Sequence, residues 1–180
     1  MHTLYREITP LSSDDCFMVF SRVKSGFDFP LHCHDEFELN LITHARGAKR
    51  IVGYHMSEID DSELVLVGGN LPHAWFTHHC KSTEIHEITI QFHKDLFDDK
   101  FLDRNQMSGI KSLLQRSHQG ILFSKETAHS IKPRLESLIS CKGFHSVLEL
   151  MSVLQELSVS PGIQILSQAT PLSNTPDLKS

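Results

Sequence analysis

His32 and His34 stand two residues apart, and Glu38 follows His34 by four. On an extended strand, side chains two apart share a face, so both imidazoles point the same way and Glu38 shares their parity. A third histidine, His73, closes the turn Gly68-Gly69-Asn70-Leu71-Pro72. Strand pairing would set it opposite the first two. Three imidazoles and one carboxylate suit a divalent transition metal such as Zn, Ni, Mn or Fe. The same four side chains can instead hydrogen-bond one another and line a small-molecule pocket, provided each finds a partner. Asn40 shares the parity of Glu38 and is expected to face the same interior. Trp75 shares the parity of His73, where its ring would either pack as core or stack on a sugar or aromatic effector.

The remaining histidines, from a total of 13, carry less. His78, His79, Cys80 and His86 match no compact metal-site spacing and read as loop and strand residues. His55, His93, His118, His129 and His145 read as surface. Arg46, Lys49 and Arg50 form the richest basic group, and they read as a solvated strand end.

The elements that must position these groups are short strands. Cys16–Val23, Phe37–Thr43, Lys49–Val52, Leu64–Val67 and Ile85–Phe92 are rich in β-branched and aromatic residues. Turn residues separate them: Gly26, Pro30, Gly47, Gly53, Asp60-Asp61, Gly68-Gly69 and Pro72. Many short strands at this spacing predict an antiparallel sandwich or barrel. Helical spacing takes over after His93. Asn105 caps a helix predicted to about Arg116, Ser124 starts another through Ser140 that Pro133 would kink, and 145–158 carries a broad apolar stripe of Val147, Leu150, Met151, Leu154 and Leu157. That stripe packs against the barrel or a sister helix, or forms a dimer surface, and both can hold for one helix pair. The segment from Gln168, QATPLSNTPDLKS, has linker composition.

Composition bounds the functional classes. The chain has 180 residues, 39% hydrophobic and 22% charged, with a formal net charge of −5. This is ordinary for a globular protein and argues against direct contact with nucleic-acid phosphates. No stretch approaches a membrane span, and the first residues hold no signal-peptide apolar run. Four widely spaced cysteines are expected as free thiols in the cytoplasm.

The spacing of Gly26, His32, His34 and Glu38 resembles the first motif of the cupin superfamily, with Gly47 two positions late. The second motif is degenerate, with Ser62-Glu63 where Gly-Asp is usual and Pro72 directly before His73. The runs FPLHCHDEFELNLI, RIVG, ELVLVGGNLPHAW and EITIQFHKDLF resemble the sensor domains of AraC-family transcription regulators, over roughly residues 15–160.

This resemblance implies a mainly β fold with α: a cupin-like antiparallel β-barrel over residues 1–95 with an N-terminal arm, a helical and dimerising segment over 96–160, and a linker over 161–180 towards a DNA-binding domain absent from the chain. It implies a non-enzymatic sensor that binds a sugar or organic acid at His32, His34, Glu38, Asn40, His73 and Trp75. It also implies a homodimer that meets DNA only through that further domain. In the family the arm folds over the pocket, and here Met1 to Leu11 would do so. The competing expectations are a metal-dependent cupin enzyme, a dioxygenase or isomerase built on His32, His34, Glu38 and His73, and a metal-independent carbohydrate-binding module.

Overall fold

A computed structural model describes residues 3–168. Residues 169–180, most of the expected linker, and the first two residues of the expected arm lie outside the described residues.

Strand β1 is Tyr5–Arg6, β2 Phe17–Lys24, β3 His32–Cys33, β4 Phe37–Thr43, β5 Lys49–Val52 and β6 His55–Glu58. They are followed by β7 Glu63–Val67, β8 His73–Phe76 and β9 Ile85–Phe92. Then come the one-turn helix α1 Asp99–Leu102, a 3-10 turn at Asn105–Met107, α2 Ser108–Ser117, β10 Ile121–Leu122, α3 Lys125–Leu138, α4 Gly143–Ser158 and β11 Gln164–Ile165.

The strands form two separate sheets, in the orders β1-β3-β8-β5-β6 and β11-β10-β7-β4-β9-β2. All pairings are antiparallel except β1 with β3. Among the described residues no backbone ladder joins the two sheets, so the expected barrel is not closed, and the observed arrangement is a sandwich.

The six-stranded sheet is the middle layer. Its odd positions on β4 and even positions on β7 and β9 (Leu39, Leu41, Leu64, Leu66, Ile88, Ile90, Phe92) form one core with the helices. Its opposite face meets the smaller sheet through Ile42, Val65, Val67 and Ile85, against Val52 and Trp75. A central strand covered on both faces loses solvent contact at every position, which is why Phe37 through Ile42 are all buried although Glu38 and Asn40 are polar.

The helical layer departs from its first signal: Asn105 opens the 3-10 turn instead of capping a helix, and the N-cap of α2 is Met107, with no side-chain cap. Ser124 caps α3, its hydroxyl accepting from the Thr127 N–H at 3.1 Å. The helix runs on through Pro133, where a kink was expected. Pro133 and His129, whose carbonyl loses its helical donor there, both lie on the exposed side. On α4, Leu150, Leu154 and Leu157 of the expected stripe are fully buried with Val153 against α2, α3 and the sheet. These three leucines are therefore internal packing, while Val147 and Met151 of the stripe are half-buried. The large apolar residues that α4 exposes are Phe144 and Leu148. Within the stretch expected as linker, β11 pairs with β10, and Leu166 is buried.

A second polar contact between the sheets lies away from Glu38 and its histidines. Arg50 is 3% exposed and its guanidinium donates to the Glu63 carboxylate, itself 6% exposed; the Trp75 indole N–H donates to the other Glu63 oxygen at 2.7 Å. This corrects the reading of Arg50 as a solvated strand end. Its strand β5 lies inside its sheet, between β6 and β8, and Arg50 sits directly across from Trp75. Arg46, by contrast, is exposed and pairs with Asp60.

Candidate functional site

Three separate elements bring the four predicted ligands together. β3 carries His32, with His34 just beyond it; β4 carries Glu38; β8 carries His73, which pairs directly across from His32. All four are buried, and their ligand atoms lie within 4.8 Å of one another. The Glu38 carboxylate is the hub. It lies 3.1 Å from His34 Nε2 and 3.7 Å from His73 Nε2, and accepts from the Gln91 side-chain amide at 3.0 Å.

The backbone fixes the orientation of every ring. His32 Nδ1 lies 2.8 Å from the Pro30 carbonyl, His34 Nδ1 3.1 Å from that of Glu36, and His73 Nδ1 2.8 Å from that of Leu71. A carbonyl only accepts, so each Nδ1 carries the proton and each Nε2 is turned to the cluster. Metal-binding histidines are held in this way, with the outer ring nitrogen tied to a carbonyl and the inner lone pair aimed at the ion.

The electrostatics differ between the rings. Burial disfavours the His34 cation, but the hydrogen bond and charge of Glu38, with Glu7 and Glu36, outweigh it and raise its pKa. Burial and then the charge of His73 lower His32 to about 4, so it is neutral at pH 7. Burial alone would raise Glu38, but the hydrogen bond with His34 and the neighbouring His73 hold it well below the usual carboxylate range. The result is an ionised Glu38 beside inward-facing imidazole nitrogens. His73 Nε2 is buried without a hydrogen-bond partner among the described residues.

This donor set fits a divalent transition metal. Bonds of about 2.0–2.2 Å around such an ion place its ligand atoms about 3–4.4 Å apart, and Glu38 stands 3.1 Å and 3.7 Å from the nitrogens of His34 and His73. His32, His34, Glu38 and His73 would hold the ion.

Beside the cluster, between the two sheets, lies a cavity of about 130 Å³. One water requires roughly 10–15 Å³ by such a measure, so the space suits a small organic molecule. One wall is the inner face of the middle sheet. Cross-strand register places Glu38 against Gln91, Asn40 against Thr89, and Thr89 against Phe20. The Thr89 hydroxyl donates to the Asn40 side chain at 2.9 Å. His32, Ala74 and Trp75 of the smaller sheet line the opposite side, and Glu7 and Pro10 of the N-terminal segment complete that end. Arg22, Lys24 and Glu87 add charge, with Lys24 and Glu87 paired at 3.2 Å.

The six residues predicted as a site fall in one place. His32, Glu38, Asn40 and Trp75 line the cavity, and His34 and His73 complete the cluster beside it. Sequence reasoning missed Thr89, Gln91 and Glu87. The apolar alternation of β9 marks Ile88, Ile90 and Phe92 as core, and the intervening polar residues then read as solvent-facing. The parity of Glu38 and Asn40 on neighbouring β4 was the available signal that they face inward. His118, His129 and His145 are exposed and His55 and His93 half-buried. Of the cysteines, all four are free.

No protein-family model matches the chain, and no curated protein matches it. Similar solved structures include apo ToxT K231A from Vibrio cholerae strain SCE256, at 12% identity and a TM-score of 0.49 over 80% of this chain and 55% of that one. ToxT from V. cholerae O395 matches at 16% identity and a TM-score of 0.45 over 77% of this chain and 52% of that one. The same O395 protein bound to (E)-4-(8-methylnaphthalen-1-yl)but-3-enoic acid matches at 15% identity and a TM-score of 0.42, over 77% and 54%. The chain thus spans about half the length of these proteins. Likenesses this distant carry no functional argument. Among the described residues no helix is long and apolar enough to cross a membrane.

Proposed function

We propose that this chain is the small-molecule-sensing domain of an AraC-type DNA-binding transcription regulator, working without catalysis in the cytoplasm. The observation that carries the reading is the cavity between the sheets, polar on one wall and aromatic on the other, with Glu7 and Pro10 of the N-terminal segment in its lining. A sugar or organic acid seated there would contact Asn40, Thr89 and Gln91 with its polar groups and Trp75 with its apolar face. Because the N-terminal segment borders the same space, occupancy changes its contacts. A ligand shifts such an equilibrium only as far as its affinities for the two arrangements differ. The family resemblance of the sequence runs supports the rest of the reading: a homodimer, and DNA contact through a separate domain. The dimer surface would lie outside the buried α4 stripe.

A divalent metal at His32, His34, Glu38 and His73 would supply a Lewis acid for an oxygen of the effector. The protein's own part is to hold three imidazole nitrogens and one carboxylate in place, and to keep water out by burial.

Thermal melting against panels of sugars and organic acids tests the reading. One ligand class is expected to raise Tm with a dependence on concentration that follows its binding. The same ligand should fail on the Asn40→Leu variant. A panel without any stabilising member would count against the sensor.

The backbone-tied histidines and partnerless His73 Nε2 favour a second reading, a metal-dependent cupin dioxygenase or isomerase. Recovery of the stabilising ligand after prolonged incubation with metal-loaded protein separates the two. A sensor returns it unchanged, whereas an enzyme returns a product.

A further inference from the structure

A second group of ligating side chains lies outside the interior cluster. Glu58 ends β6, and His78 and His79 form the turn that follows β8. His79 Nδ1 is 3.2 Å and His78 Nε2 3.5 Å from the same oxygen, Glu58 Oε2. The two imidazole rings lie against each other at a tilt of 32°, with centroids 3.7 Å apart. We propose that Glu58, His78 and His79 form a surface site for a divalent transition-metal ion of the zinc class, independent of the interior cluster and of the sensor reading.

Donor chemistry and spacing support this. Two imidazole nitrogens and a carboxylate oxygen are borderline ligands that suit Zn, Ni or Cu rather than Mg or Ca. Bonds of about 2.0–2.2 Å in a tetrahedral shell put neighbouring ligand atoms about 3.3–3.6 Å apart, and the two nitrogens stand at comparable distances from the carboxylate oxygen. Side-chain exposure of 71% at His79 and 52% at Glu58 leaves the remaining coordination positions to water.

The scaffold holds the donors in place. The Cys80 N–H donates to the Thr77 carbonyl at 2.7 Å, closing a tight turn around His78 and His79. His78 adopts φ 46°, a conformation that favours glycine. A histidine held there puts its ring on its neighbour and both ring nitrogens towards Glu58. The His79 N–H donates to the Gly47 carbonyl at 2.9 Å, and Gly47 in turn donates to the Ile59 carbonyl at 3.0 Å, next to Glu58. Gly47 has φ 86°, and a Cβ there would stand 2.9 Å from the His79 carbonyl carbon. Only glycine lets the turn approach this closely. Turn and strand end are thereby tied through backbone, and their side chains need little rearrangement to share an ion.

The test is a zinc titration of untagged, chelator-stripped protein against a chromogenic competitor. The double variant His78→Ala/His79→Ala is expected to bind one equivalent fewer than the native chain. The double variant His32→Ala/His34→Ala should keep the equivalent that depends on His78 and His79. Glu58→Gln is expected to weaken that equivalent at least tenfold while leaving the zinc-free melting temperature unchanged. Equal stoichiometry and affinity in the native chain and His78→Ala/His79→Ala would overturn the site, as would a native chain that binds no zinc through the turn.

Discussion

Replacing Arg50 by methionine isolates the buried ion pair between the sheets. The guanidinium is 3% exposed and its partner Glu63 6% exposed, so removing Arg50 leaves a carboxylate shut away from water. Breaking a buried pair from one side costs about 3–5 kcal/mol. Glu63 keeps the Trp75 indole N–H at 2.7 Å, which puts the expected loss near the low end, about 3 kcal/mol. For a chain of this size that is about 6–12 °C in Tm.

The pH dependence is equally specific. Burial already raises the Glu63 carboxyl, opposed by the charge of Arg50 and by the hydrogen bonds from Trp75 and Arg50. Without Arg50 it rises further. A raised acid binds a proton in the folded state where the unfolded chain has released it, so its contribution is favourable at low pH and lost as pH rises through the folded value. The deficit of Arg50→Met relative to the native chain should therefore shrink on acidification. Adding Glu63→Leu should recover much of the loss at pH 7. Urea unfolding at several pH values measures all three chains. A loss below about 1 kcal/mol at pH 7, independent of pH, is what a solvated surface pair would give. It would refute the claim that the contact is buried.

Other consequences can be read from the same structure. His32 is held at about 4 by burial and the charge of His73, so between about 6.5 and 4 the unfolded chain binds a proton that the folded chain refuses. Metal-free protein should lose stability as pH falls through that window, and His32→Gln should flatten this part of the urea-midpoint profile. Leu154 is fully buried in the helix–sheet core, so Leu154→Ala should cost about 2–5 kcal/mol in chemical denaturation. Sedimentation at concentrations where it remains folded should show the native assembly state; a changed state would return this helix face to an interface.

Much of the layout was legible in the sequence because local chemistry and long-range packing agreed. Strands β4, β5 and β9 are bounded by clear turn residues and filled with β-branched or aromatic side chains, and they form where expected. The turn before His73 returned it to His32 as expected, but Glu38 reaches the histidines from β4 of the other sheet, so a shared parity along one extended strand is not how they meet. The short strands β1, β3, β8 and β10 were invisible, since they owe their pairing to neighbours rather than to their own composition. The fate of Arg50 was hidden for the same reason: a basic residue reads as solvated until the strand on each side is known. Periodicity likewise could not separate an internal from an external face on α4. There the helices α2 and α3 and the middle sheet settle the matter by covering Leu150, Leu154 and Leu157.

The most direct test of the central claim is calorimetric titration of the sugar or organic acid that most stabilises the protein. It should be run on the native chain and on Asn40→Leu and Trp75→Leu, with melting curves confirming that each variant is folded. If the cavity between the sheets is the effector site, both variants lose affinity by tenfold or more. Native affinity in both folded variants would contradict the account and place the ligand elsewhere.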